Sequence, residues 1–190
     1  MTKSLKAISA RLTNSALICA VAAATFVSGT ASAATQGTLG ATSTGTVAIS
    51  ASVPNRARIT GLSDVSLVNQ DPNTAFSGAQ DVCVWSNTAT KGYTITASGS
   101  GAANAFTLAN GALTVPYSVQ WSATSGATTG TALTAATASA GLVSTATQQT
   151  CSSGPLKSAS LIVNLGTTDL GSMQAATTYT GTLTLLVAPQ

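Results

Sequence analysis

The chain has 190 residues, 6% of them charged, and contains neither histidine nor glutamate. Three of its seven bases lie within residues 1–33, which leaves four bases against four aspartates and a net charge of zero in the rest. This balance gives no attraction to phosphate or anionic lipid, so nucleic acid is not a predicted partner. Acid–base catalysis and metal binding need histidine or grouped carboxylates, so we predict no catalytic residue, metal or cofactor, and a hydrolase is disfavoured. The aspartates are spread singly, at Asp64, Asp71, Asp81 and Asp169.

Residues 1–33 have the pattern of a secretory signal peptide. A start with two lysines and an arginine precedes an apolar run at 15–27, and the small residues at 31–33 supply a cleavage site. The apolar run is short for a membrane span, which makes an uncleaved anchor the weaker alternative. We therefore predict an exported mature chain, residues 34–190, without stable membrane insertion.

The mature chain opens with an alternating segment at residues 34–53. Apolar side chains fall on odd positions with small polar residues between them, so one side of an extended strand is apolar and is predicted to be buried. Pro54 and Asn55 end the segment. Alternation alone does not distinguish a first strand of its own domain from a strand that pairs with another molecule. The last four apolar members are Val47, Ile49, Ala51 and Val53.

The middle of the chain is predicted to form short strands separated by turn residues, with no convincing helix. Residues 69–80 are predicted to be a loop, because Pro72 and Gly78 favour turns. Asn110-Gly111 is a hairpin signal, and residues 123–150 are low in complexity. The predicted strands span 59–67 with a kink at Gly61, 81–86, 92–98, 105–108, 113–115 and 117–122, with two further short strands near Leu133 and Leu142.

Two cysteines, Cys83 and Cys151, lie in the mature chain. In an exported protein such a pair predicts a disulfide; two free thiols or an intermolecular bond are the alternatives. Trp85 lies two residues after Cys83 and so shares its strand face. We predict that Trp85 packs in the core against the disulfide, whereas an exposed ligand-stacking tryptophan is the alternative.

The C-terminal part is predicted to contain two more strands, at 158–166 and 179–187. The second places Leu183, Leu185 and Val187 on one face. A total of about eight to ten short strands with turn residues between them predicts an all-β sandwich. A closed barrel is the competing architecture.

Four segments of the mature chain share a sequence pattern with a known group of proteins. They are TGTVAISASVPNRARITGL near its start, KGYTITASGSG and VPYSVQW in the middle, and YTGTLTLLVAP at the end. In that order they resemble the spore coat protein U-like group, which includes pilins of archaic chaperone–usher systems. The likeness covers most of residues 43–188 and rests on pattern, without a fingerprint motif. Members often carry a cysteine where this chain has residues 56–58, so their disulfide pattern is not transferred.

The resemblance implies an immunoglobulin-like β-sandwich that lacks one edge strand. In such pilins a periplasmic chaperone fills the gap, and the N-terminal strand of the next subunit then replaces it. Residues 34–53 would be this donor-strand segment and residues 54–190 the pilin domain. The implied site residues are Val47, Ile49, Ala51 and Val53 in the donor strand, and Leu183, Leu185 and Val187 in one wall of the acceptor groove.

These observations predict a structural subunit of a bacterial surface fibre, a pilus or fimbria, that serves adhesion or biofilm formation. The expected partners are like subunits in a head-to-tail fibre, a periplasmic chaperone and an outer-membrane usher, and the expected location is the cell surface. A carbohydrate-binding adhesin at a fibre tip is one alternative, although tip subunits normally have an added domain and this chain is short for two. A self-contained secreted coat or matrix protein is the other.

Overall fold

The computed structural model describes residues 33–68 and 70–190. The predicted signal peptide therefore lies outside the described residues, apart from its last position. The chain divides into two compact units, Met1–Ala51 and Ser52–Gln190. In the described part of the chain, no helix has the length and apolar character that a membrane crossing needs.

The second unit is built almost entirely from antiparallel β-strands. One short helix, α1 (Thr167–Gly171), and a 3₁₀ turn at Ala102–Asn104 occur between them. The described strands are β1 (Ala57–Thr60), β2 (Phe76–Ser86), β3 (Gly92–Gly99), β4 (Thr107–Asn110), β5 (Leu113–Pro116), β6 (Ser118–Ser122), β7 (Thr131–Ala132), β8 (Leu142–Val143), β9 (Ala159–Leu165) and β10 (Leu183–Pro189).

The strands form two main sheets that share one core. The larger sheet has the order β1-β2-β9-β6-β7 and the smaller one β10-β3-β8, while β4 and β5 form a separate hairpin. Val82 and Val84 from β2 are fully buried together with Tyr93 and Ile95 from β3. Trp121 of β6 is 2% exposed, and its Nε1–H donates to the Tyr93 hydroxyl at 3.2 Å. This bond joins the two sheets through the core, and the predicted all-β sandwich is confirmed.

The disulfide lies on the outer face of the larger sheet. Because side chains alternate along a strand, Cys83 points away from the buried valines of β2. It is bonded to Cys151, which lies 68 residues further along the chain. Trp85 shares the face of Cys83 and packs, half-buried, against the bonded pair and Ala146. The predicted disulfide and the predicted packing of Trp85 against it are confirmed, and the bond fastens the loop before β9 onto the sheet.

Most predicted strands occur close to their predicted bounds. β3, β5, β6 and β9 match within one residue at each end, and β4 is displaced by two residues toward the hairpin. The Asn110-Gly111 hairpin forms as predicted, with the positive φ of 57° at Gly111 that favours glycine. The two short strands predicted near Leu133 and Leu142 are β7 and β8.

The predicted loop at 69–80 is wrong at its end, because β2 already begins at Phe76. The turn is completed earlier, where the backbone N–H of Asn73 donates to Oδ1 of Asp71 at 2.9 Å. Gly78, which favoured a loop in the sequence, lies inside the ladder between β2 and β9. A glycine in a strand is thus compatible with pairing when the neighbouring residues keep the ladder.

The C-terminal strand and the helix content also differ from the prediction. β10 begins at Leu183 and not at residue 179, because Thr180 and Ala109 exchange backbone hydrogen bonds of 2.8 and 2.9 Å. The chain there pairs with the β4–β5 hairpin and not with β3. Helix α1 has five residues, which is too short for helical periodicity to be visible in the sequence.

The predicted strand at 59–67 is interrupted at the predicted kink. Gly61 has a φ of +82°, a conformation that side-chain-bearing residues rarely adopt. β1 therefore ends at Thr60, and residues 62–67 are not a strand. The kink at Gly61 is confirmed and the strand beyond it is wrong.

The described residues of the first unit, 33–51, form no strand. Thr35 and Thr46 make an isolated bridge with backbone hydrogen bonds of 2.9 and 3.0 Å. Val47 and Ile49 are 76% and 92% exposed. The prediction that one side of this segment is buried is therefore wrong within the single chain, because an alternating segment becomes buried only beside a partner strand.

Candidate functional site: the groove beside the C-terminal strand

A groove of about 520 Å³ lies beside the first part of β10, at Leu183 and Leu185, in the unit Ser52–Gln190. Its floor is apolar and includes Leu161 and Val163 of β9 and the buried Tyr117. One long side is β10, and the other is the segment 62–67 that follows β1, named the wall below. The groove is therefore a slot between the edges of the two sheets, floored by the core.

The inner face of β10 is only half covered. Leu183, Leu185 and Val187 pack against the main core, yet all three stay half-buried. In a complete sandwich, inner-face side chains are covered by the facing sheet and by neighbouring strands. Leu183 and Leu185 line the groove, and Val187 lies on the same face beyond its lining.

One edge of β10 has no pairing strand among the described residues, since β10 ends its sheet and pairs with β3. The N–H of Gln190 donates to the carbonyl of Gly92 in β3 at 3.0 Å. The direction of the backbone N–H and C=O groups alternates along an antiparallel strand. In β10 the backbone groups of even-numbered residues therefore point to β3, and those of odd-numbered residues point to the free edge. Proline, which lacks an N–H, suits an odd position. The odd-numbered residues are Leu183, Leu185, Val187 and Pro189.

The opposite side of the small sheet is covered by the chain itself. The N–H of Ala136 donates to the carbonyl of Ala97 at 2.7 Å, and that of Ser139 to the carbonyl of Ile95 at 2.8 Å. β8 continues this cover along the start of β3. The side of β3 away from β10 is therefore covered by β8 and residues 136–139, and the accessible edge of the small sheet is at β10.

The wall is fastened to β2 by a side chain. Oε1 of Gln80 accepts hydrogen bonds from the backbone N–H and the hydroxyl of Ser63, at 2.8 and 3.1 Å. Nε2 of Gln80 donates to the carbonyl of Ser63 at 3.0 Å. Leu62 and Asp64 flank this anchor and line the groove. A polar amide thus sets the position of one groove side.

The first residues of the second unit are fastened in a similar way. The side chain of Asn87 donates to the carbonyl of Pro54 at 2.9 Å and accepts from the N–H of Arg56 at 2.6 Å. The N–H of Asn87 donates to the carbonyl of Arg56 at 3.1 Å. Residues 54–56 are therefore bound to the end of β2. They follow directly after Val53, which is 76% exposed.

Asp81 is the most strongly hydrogen-bonded carboxylate in the described part of the chain. Its Oδ1 accepts from the Ser160 hydroxyl at 2.6 Å and from the N–H of Gly126 at 2.7 Å. These bonds hold the pKa of the Asp81 carboxyl below its ordinary value, the Ser160 bond most of all, against the opposing effect of burial. Asp81 thereby joins β2 and β9 to the loop after β6.

This network predicts a loss of stability in acid. Because the pKa of Asp81 is lower in the folded chain, its ionised form stabilises the fold above about pH 4, the ordinary value, and that stabilisation disappears as the pH falls through the lower folded pKa. We expect the unfolding temperature of the wild-type chain to fall more steeply below pH 4 than that of Asp81→Asn. Circular dichroism melts from pH 6 to pH 2 measure this, and parallel curves would contradict it.

The groove combines an apolar floor with polar groups on its sides and a free strand edge. Asp64 is the charged residue among its lining residues. Within residues 33–68 and 70–190, no group of three or more histidine, cysteine, aspartate or glutamate residues is placed to hold a metal ion. The arrangement suits the binding of an extended backbone whose alternate side chains are apolar.

Alternation in the sequence predicts the shared face of Leu183, Leu185 and Val187, and in the structure Leu183 and Leu185 line the groove whereas Val187 does not. The sequence does not predict the roles of Gln80 and Asn87, because their side chains bond to backbone 17 and 31 residues away in the chain. No local signal marks such bonds.

Comparison with models of protein families, with curated proteins and with solved structures finds no match for this chain.

Proposed function

We propose that the protein is a structural subunit of a bacterial surface fibre, in which residues 34–53 of one copy, the arm, fill the groove of the next copy. One observation carries the proposal: the same chain has an exposed alternating segment and a groove with an apolar floor beside a free strand edge. A strand added at such an edge gains ladder hydrogen bonds, and its alternate side chains fill the groove.

The pairing rules assign the two faces of the arm. On paired strands, side chains opposite each other point to the same face of the sheet. The odd-numbered residues of β10 have inward-facing side chains and backbone groups at the free edge, and these groups pair with the arm. The apolar arm residues therefore lie opposite them, with their side chains in the groove. The arm side chains that enter the groove are Val47, Ile49, Ala51 and Val53, and they meet Leu183 and Leu185, the β10 residues that line it.

Assembly of this kind has no natural end. The arm and the groove are different surfaces of the same chain, so the contact is head-to-tail and repeats as a fibre. By the resemblance to archaic chaperone–usher pilins, the completed domain is an immunoglobulin-like sandwich, a periplasmic chaperone covers the groove before assembly, and an outer-membrane usher exports the fibre. An intramolecular disulfide suits this oxidising route. The output is adhesion or biofilm formation.

Two complementary variants of the full chain test the proposal. A donor-silent variant carries Val47→Ser and Ile49→Ser and keeps its groove. An acceptor-blocked variant carries Leu185→Pro, which removes an N–H at the free edge and leaves the backbone bonds between β10 and β3. Each is secreted to the periplasm and run unheated on a denaturing gel beside the wild-type chain.

The wild-type chain should give a heat-sensitive ladder and each variant alone a monomer. A mixture of the variants should give one added band, a pair, because a single donor and a single acceptor remain. If the wild-type chain is a monomer at all concentrations, the proposal fails and the protein is a self-contained secreted sandwich. A ladder from either variant alone also counts against it.

A further inference from the structure

The wall lies where β1 would have continued. β1 and β2 are paired so that Thr60 is opposite Cys83. In the same register Ser63 falls opposite Gln80, and Ser63 is indeed bonded to Gln80. Val65 falls opposite Gly78, and its Cγ1 lies 3.6 Å from the place of a Cβ on that glycine. The wall thus follows β2 in register after the ladder has ended.

At this point the backbone hydrogen bonds between β1 and β2 are replaced by hydrogen bonds from one side chain, that of Gln80. Gln80 binds both backbone groups of Ser63, the N–H and the carbonyl, through its own amide. In residues 62–67 of the described chain, Ser63 is the one residue whose backbone is hydrogen-bonded. Among the described residues, the remaining N–H and C=O groups of the wall therefore have no hydrogen-bond partner that fixes their position.

Such a segment has an alternative partner on the same molecule. The free edge of β10 lies across the groove and presents unpaired backbone groups. An extended segment with Val65 and Leu67 on one face is itself a candidate strand for that edge. If the wall crossed to β10, it would close the groove from within the chain, and no second copy could enter.

We propose that Gln80 is a positioning residue that anchors the wall on β2 and so keeps the groove receptive to the arm of a second copy. This inference rests on the proposed function and assigns a residue that sets the affinity of the groove for the arm. The amide of Gln80 satisfies the backbone groups of Ser63 at the place where the ladder stops, and this one anchor point decides whether the wall or the arm pairs with β10.

The test uses the full donor-silent chain, whose groove is intact, and a fluorescent peptide of residues 38–54. Gln80→Leu keeps the size of the side chain and removes all three hydrogen bonds. Gln80→Glu keeps the two bonds accepted at Oε1 and loses the one donated to the Ser63 carbonyl. Gln120→Leu is the matched control, since Oε1 of Gln120 accepts from the N–H of Gly130 at 2.9 Å and Gln120 is not among the groove-lining residues.

Fluorescence anisotropy should show at least tenfold weaker peptide binding for Gln80→Leu, an intermediate Kd for Gln80→Glu and no change for Gln120→Leu. Unfolding temperatures without peptide are measured for every variant and separate this effect from a loss of stability. Hydrogen exchange should show that the Ser63 amide is protected in the parent and loses that protection in Gln80→Leu.

Equal peptide affinity in the parent and Gln80→Leu would overturn the anchor and leave the fibre proposal standing. An equal loss of affinity in Gln120→Leu would show a general effect of destabilisation and would also overturn it. Failure of the parent to bind the peptide would refute the fibre proposal, and the role of Gln80 would fail with it.

Discussion

Substitution of Ile49 by aspartate is expected to abolish assembly, the largest effect of any single change in the arm. The side chain is 92% exposed in the single chain and would be enclosed in the groove of the next copy. Losing a buried isoleucine costs about 1.5–3 kcal/mol. Placing a carboxylate against the apolar floor of the groove adds several kcal/mol, so the arm should bind roughly a thousandfold more weakly or worse.

The matched control is Ser50→Asp, which adds the same charge one residue later and on the opposite face of the arm. Unheated gels and electron microscopy of the secreted chains compare the two variants. Fibres should be lost with Ile49→Asp and retained with Ser50→Asp. Equal loss of fibres in both variants would mean that the arm does not place Ile49 and Ser50 on opposite faces. Fibres from Ile49→Asp would refute the assignment of Ile49 as a side chain that enters the groove.

Removal of the disulfide should cause the largest loss of stability. Cys83 and Cys151 close a loop of 68 residues, for which chain entropy predicts about 4 kcal/mol. In a domain of this size that corresponds to roughly 10 °C in unfolding temperature. The double variant Cys83→Ser and Cys151→Ser should therefore melt about 10 °C below the oxidised wild type.

Reducing agent provides the control for this prediction. It should lower the unfolding temperature of the wild-type chain to that of the double variant and leave the double variant unchanged. Trp85 packs against the bond, so its fluorescence should report the same transition. A change below about 2 °C would mean that the loop before β9 is held by other contacts.

The two main sheets could be predicted because their strands alternate and are bounded by turn residues. Tyr93, Ile95 and Ala97 are an example, since the alternation seen in the sequence is the alternation between core and surface in β3. The wall shows the limit of the same reasoning. Residues 62–67 alternate as well, but the positive φ of Gly61 ends the ladder before them.

The groove could be predicted only in part, because whether a strand edge is free depends on which strands pair beside it. Alternation in β10 identified its inward face. Whether a further strand covers that face depends on topology, which places β10 at the end of its sheet. The arm illustrates the same point, since the exposure of Val47 and Ile49 depends on which strand is available to pair with them.

The short segment 54–56 has a mechanical consequence. Asn87 binds this segment at both ends, through Pro54 and Arg56. The segment lies directly between Val53, the last arm side chain that enters the groove, and β1. In a fibre it would be the joint between neighbouring copies, three residues long and held at both ends by Asn87. Bending at this joint would then strain the hydrogen bonds of Asn87, so this side chain would stiffen the connection between copies.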